Sequence, residues 1–247
     1  DAVYNQPSGA TGLGVLLATV LFAVQIYCDF SGYTDIAIGC ARIMGIRLMK
    51  NFDHPYTATS IREFWARWHI SLSTWFRDYL YIPLGGSRCK KWRHMMNLFI
   101  VFLVSGLWHG ANLTYVVWGA IHGVYQIVGA LTRPARDRLL SRVGLSDTSR
   151  GVRIFRRAVT FLLVSFAWIF FRAGSIADAG VLTAALFTGW GTAPAAVFSG
   201  MGLTLLRALT VVVSVLLLWL LDRLLTHGDE ADGSALYVRR GGYIYLV

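Results

Sequence analysis

Apolar runs separated by short polar or aromatic-rich stretches organise this chain. The first runs from Thr11 to Tyr27 and stops at the polar cluster Asp29-Phe-Ser-Gly-Tyr-Thr-Asp35. A second apolar piece, Ile36 to Met49, carries Arg42 and Arg47 and is too short and too charged for a full crossing. Residues 51–86 are not hydrophobic enough to span. With Trp65, Trp68, Trp75, Tyr79 and Tyr81 they have the composition of an interfacial or re-entrant segment. A hairpin of two apolar runs follows, Met95 to Ala111 and Thr114 to Leu131, then Ala158 to Phe171, a weakly apolar segment from Ala177 to Phe198, and a long run from Leu203 to Leu221. A spanning helix needs roughly 20 mostly apolar residues, and no alternation of barrel-strand length appears. The pattern predicts an all-α fold, a polytopic transmembrane helical bundle with re-entrant or interfacial helices, as one membrane-embedded domain over residues 1–247.

Composition agrees: 55% of residues are hydrophobic and 15% charged, against about 25% charged in soluble domains. The net charge of +10, from 23 Lys and Arg against 13 Asp and Glu, raises the question of a nucleic-acid partner. The arginines flank apolar runs, however, and the positive-inside bias accounts for them, so no nucleic acid is expected. The basic stretch Arg88-Cys-Lys90-Lys91-Trp-Arg93-His94 and the segment 132–157, with eight arginines, are expected on the cytoplasmic side, the latter as a basic cytoplasmic loop. Residues 174–200 then face the other side, and Arg223, Arg239 and Arg240 return to the first. Cys28, Cys40 and Cys89 form no CxxC pair and read as unpaired thiols. The chain begins at Asp1 without the features of a signal peptide, and further helices are expected to precede it in the complete bundle.

His109 lies inside the apolar run Leu98-Phe-Ile-Val-Phe-Leu-Val-Ser-Gly-Leu-Trp-His109-Gly-Ala, where an ionisable group is costly without a use. A neutral imidazole there tolerates burial and can accept a proton; the alternative is a packing residue hydrogen-bonded between helices. Gly106 and Gly110 beside it leave room for a substrate chain. His69 stands 40 positions upstream among Arg62, Glu63, Arg67, Arg77 and Asp78, charges that are paired, face a cavity, or lie on a solvated amphipathic helix; Glu63 and Arg67 have i,i+4 spacing. His122 reads as structural rather than catalytic, and His54, His94 and His227 as surface histidines. Asp29 and Asp35 read as helix-end caps or metal ligands, although no cluster has zinc-site spacing, and no metal is expected. No G-x-S-x-G, H-E-x-x-H, Walker or Rossmann fingerprint occurs.

Five stretches in order, Tyr27-Cys-Asp-Phe-Ser-Gly-Tyr-Thr-Asp35, Phe64-Trp-Ala-Arg-Trp-His69 through Ile82-Pro-Leu-Gly-Gly86, Ser105-Gly-Leu-Trp-His109-Gly-Ala-Asn112, Trp118-Gly-Ala-Ile-His122-Gly and Trp168-Ile-Phe-Phe-Arg-Ala173, resemble the membrane-bound O-acyltransferase superfamily, with its bacterial alginate O-acetylation branch nearest. The resemblance implies a multi-helix fold in the cell inner membrane. A cytoplasmic acyl donor and an extracytoplasmic acceptor there reach one site, with His109 matching the catalytic histidine and His69 the second polar position. The chain resembles the C-terminal half to two-thirds of such proteins. The implied donor is a thioester, acetyl-CoA, with no tightly bound cofactor. The implied partners are a periplasmic acetyltransferase and an exported polysaccharide such as alginate, cellulose or peptidoglycan. Arg88, Lys90, Lys91 and Arg93 are candidates for attracting the donor phosphates, or serve only as topology determinants. Two other readings stand beside this one: D-alanyl transfer to teichoic acid from a carrier-protein thioester, and a non-catalytic transport or pore subunit. Acyl transfer requires His69 and His109 to converge on one cavity, with His122 near it but outside contact with substrate.

Overall fold

The structure is a computed structural model and describes residues 2–229. A short α1 (Ala2–Asn5) leads through a 3-10 turn at Pro7–Gly9 into α2 (Gly12–Ile43). Thr11 caps α2 by accepting from the Gly14 N–H at 3.1 Å. The 32 residues of α2 continue through Asp29–Asp35, which corrects the expected stop there and the reading of both aspartates as end caps. The reason lies in where the hydroxyls go. Thr34 Oγ1 donates to the Phe30 carbonyl at 2.8 Å and Ser31 Oγ to the Cys28 carbonyl at 3.4 Å, so these side chains bond back onto their own helix rather than competing with it. Residues 36–43 are the tail of the same helix.

Residues 51–86 fold as a succession of short pieces: a 3-10 turn at Pro55–Thr57, α3 (Ile61–Arg67), α4 (Ile70–Phe76) and one π turn at Arg77–Tyr81. α5 (Lys91–His109) and α6 (Leu113–Arg142) then form a hairpin. Their backbones touch at two glycines: a Cβ on Gly106 would strike the Tyr115 carbonyl oxygen, and one on Gly119 the Phe102 carbonyl oxygen. Between apolar helices in lipid, such close approach is a main source of association. It also corrects the expectation for Gly106 and Gly110. The space beside them is filled by α6, with the Tyr115 ring against Gly110, and is not open to a substrate chain.

α7 (Arg150–Arg172), α8 (Ile176–Thr188), α9 (Pro194–Gly200) and α10 (Leu205–Asp229) complete the order. The arginine-rich stretch 132–157 is largely helical: α6 passes Pro134 and ends at Arg142, and only residues 143–149 separate it from α7. Arginine favours helix, and Arg156 meets Asp147 at 2.8 Å while Arg157 Nε donates to the Thr57 carbonyl at 3.0 Å.

Two described helices, α2 and α7, are long and apolar enough to cross a membrane. α9 and α10, bent by 84° at their break, make a third if taken as one span. The α5–α6 hairpin, expected as two spans, does not reach that apolarity by composition: α5 opens on Lys91, Arg93 and His94, and α6 carries His122 and Gln126 within its apolar stretch. No strand occurs among the described residues, only an isolated antiparallel bridge between Phe52 and Trp68. The side chains of Arg223 and His227, and residues Arg239 and Arg240, lie outside what is described. An aromatic core joins α3, α6 and α7: Trp118 stacks on Trp168 at 5.8 Å, and Trp168 meets Trp68 at 5.3 Å. Such ring pairs add specific geometry to the area they bury.

Candidate active site

His69 is set by a turn. It has φ +46°, in the left-handed region, at the N-cap of α4, a conformation that costs a non-glycine residue about 1–3 kcal/mol and persists only where the surroundings over-determine it. Here Asn51 does so. Its carbonyl accepts from the Ile70 N–H at 3.0 Å and its Oδ1 from the Ser71 N–H at 3.0 Å. The Asp53 N–H donates to the Arg67 carbonyl at 3.0 Å, and Phe52 pairs with Trp68. Residues 51–53 thus line up against 67–70 and turn His69 outward, where its ring meets Phe30 edge-on at 4.6 Å and Trp108 at 6.1 Å.

His109 is set by helix packing. It is the last residue of α5, and Gly110 follows in an extended conformation (φ 160°). The ring is bounded by Trp108, Trp118 and Phe171, with centroids at 5.0, 5.2 and 5.2 Å. The hairpin end is fastened to the α7–α8 turn by Asn112, whose Nδ2 donates to the Gly174 carbonyl at 3.1 Å while its Oδ1 caps the Thr114 N–H at 3.1 Å.

Both imidazoles line one cavity of about 810 Å³, within the range of small-molecule sites. The α2 wall is Phe22, Ile26, Asp29, Phe30 and Tyr33, spaced by the three and four residues that place side chains on one helix face. These positions occupy the middle third of α2. The remaining histidines described are tied down: His54 to Asp53, His94 to the Tyr81 hydroxyl and His122 to the Trp65 indole. His69 and His109 carry no side-chain hydrogen bond among the described residues, so their ring nitrogens face the cavity with donor and acceptor capacity to spare. His69 belongs to the segment between the long helices. Burial lowers its pKa to about 4, and the adjacent His109 pushes the same way, so it is neutral at physiological pH.

His122 lies behind this wall. It is fully buried, its Nδ1 accepts from Trp65 Nε1 at 3.1 Å, and Trp118 separates it from His109, with ring centroids 5.0 Å from His122 and 5.2 Å from His109. It does not line the cavity. Arg88, Lys90, Lys91 and Arg93 are exposed at the opposite end of α5, roughly 27 Å of helix rise from His109, and none lines the cavity. His54 and His94, expected at the surface, are half-buried. No group of three or more His, Cys, Asp or Glu side chains gathers among the described residues, so Asp29 and Asp35 do not form a metal site there; Asp29 faces the cavity instead. Asp29 and Arg172 are site residues whose sequence signal, a charge embedded in an apolar run, was present but pointed elsewhere. Asn51 had none.

A family model described as MBOAT, membrane-bound O-acyltransferase family, matches residues 4–171, a range that includes both cavity histidines. A probable alginate O-acetylase of Pseudomonas fluorescens is 44% identical over 213 residues, 86% of this chain and 40% of that protein. A peptidoglycan O-acetyltransferase of Helicobacter pylori is 37% identical over 179 residues, 72% of this chain and 32% of that protein. A teichoic acid D-alanyltransferase of Bacillus subtilis is 39% identical over 119 residues, 45% of this chain and 30% of that protein. The chain thus spans 30–40% of the length of these relatives. With one cavity holding two unbonded imidazoles, and a family match running across both, the chain belongs to the membrane-bound O-acyltransferase family.

Proposed function

We propose that this chain is the catalytic part of an inner-membrane O-acetyltransferase that moves an acetyl group from a cytoplasmic thioester, acetyl-CoA, toward hydroxyls of an exported cell-surface polysaccharide, with a periplasmic transferase as partner. The observation that carries this reading is the convergence of His69 and His109, from segments 40 positions apart in sequence, on one aromatic-walled cavity. His109 takes the proton from the acceptor hydroxyl as its oxygen attacks the thioester carbonyl carbon. The tetrahedral oxyanion collapses, the C–S bond breaks, and the imidazolium returns its proton to the leaving thiolate. His69, neutral and carrying one N–H, donates to the developing oxyanion or holds the acceptor oxygen. The basic residues at the start of α5 lie too far from His109 to touch the reacting atoms and act, if on the donor, at its distant phosphates. Acetyl rather than D-alanyl transfer is favoured because the alginate O-acetylase match covers 86% of the chain and the D-alanyltransferase match 45%.

The test is His109→Ala in the complete protein, with His122→Ala beside it. The first should insert and accumulate normally and lose polymer O-acetylation by the roughly 10²- to 10⁴-fold typical of removing acid–base catalysis. The second orphans the Trp65 N–H and should lower accumulation, while the protein that does insert keeps most of its specific activity. Acetylation that persists in a stably inserted His109→Ala protein removes the catalytic assignment and favours a transport role.

A further inference from the structure

The connection between α6 and α7 carries charge that the fold does not use. Residues 132–157 hold eight arginines against two aspartates, and both aspartates are taken: Asp137 faces Arg133 at 3.8 Å and Asp147 pairs with Arg156 at 2.8 Å. Arg136 and Arg138 donate to the Gly129 and Pro134 carbonyls of their own helix, and Arg157 donates to the Thr57 carbonyl. Arg142, Arg150 and Arg153 remain. They are exposed, and their guanidinium groups meet no partner among the described residues. The chain reversal places all three at one end of the helix pair: Arg142 ends α6, Gly144 turns the backbone at φ +68°, and Arg150 opens α7 with Arg153 one turn later. The reversal is a built turn, closed by the Leu145 N–H on the Leu140 carbonyl at 2.9 Å and by the Ser146 N–H on Ser149 Oγ at 3.1 Å. Among these arginines Leu139, Val143, Leu145, Ile154 and Phe155 are exposed as well.

We propose that this tip is a docking surface for anionic phospholipid headgroups, whose phosphates pair with Arg142, Arg150 and Arg153 while the exposed apolar side chains enter the acyl boundary beside them. Three observations carry this. First, α7 is a candidate membrane span of 23 residues, a rise of roughly 34 Å against a hydrocarbon core of roughly 30 Å, so its first turn lies at headgroup level when the helix crosses. Second, arginines interleaved with exposed apolar side chains are what an interfacial segment presents to lipid. Topology alone asks only for positive charge; it does not call for Ile154 and Phe155 in its midst, and a soluble anion would leave both in water. Third, the start of α7 is open to an anion. The Ser149 hydroxyl accepts from the Ser146 N–H and makes no cap to the helix, so first-turn N–H groups and the positive end of the helix dipole add to the attraction of the guanidinium groups for phosphate. Arginine's planar fork then matches a phosphate with two parallel hydrogen bonds.

The test is hydrogen exchange of the full-length protein in nanodiscs, read on peptides that cover residues 139–155. Discs of phosphatidylcholine alone are compared with discs of phosphatidylcholine mixed with phosphatidylglycerol. Amides of the wild-type tip should exchange about tenfold more slowly in the mixed discs, given three arginines that each gain from an anionic surface, and added salt should shrink the difference. Arg142→Gln, Arg150→Gln and Arg153→Gln combined should abolish it at normal accumulation, because none of the three side chains is bonded within the fold, and the three corresponding lysine substitutions should keep most of it. Phe155→Ser, with every arginine in place, should reduce it. Equal exchange of the wild-type tip in the two kinds of disc overturns the proposal, as does a glutamine variant that phosphatidylglycerol protects as strongly as wild type. An unchanged difference in Phe155→Ser overturns the part assigned to the apolar side chains. Coenzyme A and polyglutamate, each added to discs of phosphatidylcholine alone, probe the other occupants. Protection by either that matches that of phosphatidylglycerol assigns the arginines to a soluble phosphate or to an acidic protein, and overturns the lipid assignment.

Discussion

The α5–α6 hairpin and the broken segment 51–86 each deliver one imidazole to the same cavity, by opposite means. The hairpin holds His109 through long regular helices whose backbones meet at Gly106 and Gly119; nothing about the local conformation of His109 is unusual. The broken segment holds His69 through an irregular turn with a positive φ, kept in place by Asn51 and by the pairing of residues 51–53 with 67–70. One histidine is positioned by tertiary contact at a distance, the other by local backbone hydrogen bonds. The difference implies different failures. Damage to the hairpin should destroy the fold before it touches chemistry, and damage to the turn should misplace a side chain within an intact fold.

The largest effect is expected from Gly119→Leu. Its Cβ alone would overlap the Phe102 carbonyl oxygen, which belongs to helix backbone and cannot move aside, so the hairpin has to separate. Overpacking of this kind costs about 1–3 kcal/mol even where side chains can adjust, and more is expected where none can. Membrane accumulation should fall to background, measured by immunoblot of washed membranes. Normal accumulation of Gly119→Leu would mean that the helix seam is not what holds His109.

This contrast also governs what could be read from the residues in order. The helical class was legible, because apolar runs report burial directly; the aromatic clusters of 51–86 marked that stretch as something other than a span, but not where its short pieces begin and end. That His109 would line a cavity could be anticipated, because a lone ionisable group in an apolar run stands out. The continuity of α2 was not: Asp29, Ser31, Thr34 and Asp35 look like a stop in one dimension, and only the hydroxyl bonds back to the Cys28 and Phe30 carbonyls show why the helix ignores them. The extent of α6 and α7 was hidden in the same way, since arginines that flank a span serve equally well as its last turns. Asn51 was invisible, because a side chain that fixes a backbone turn 18 positions away in sequence leaves no periodicity and no motif. Regular packing writes itself into a sequence, and a single long-range polar contact does not.

A middle-sized effect is expected at His69, where two substitutions separate backbone from imidazole. Asparagine tolerates the left-handed region, while a β-branched residue there is an outlier. His69→Asn should therefore keep wild-type accumulation and lose acetyl transfer by about 10²-fold, the lower end of what a positioned proton donor or acceptor contributes. His69→Val should lose accumulation as well. Equal accumulation of the two variants would show that the turn is not under strain and would dissolve the contrast between the two regions.

The smallest effect belongs to Asn51→Ala. It removes the side-chain bond to the Ser71 N–H but leaves the backbone bond from the Ile70 N–H in place, so half of the turn's support survives. The loss of one such bond is worth about 1 kcal/mol, enough to let His69 leave its position for part of the time without unfolding the segment. Accumulation should stay close to wild type while acetyl transfer falls by about fivefold, which matches that energy at room temperature. The effect should vanish in the His69→Asn background, because a turn that no longer presents an imidazole has nothing left to misplace. If Asn51→Ala lowers activity equally with and without His69, Asn51 acts on the cavity by another route, and the local turn is not what delivers the second histidine.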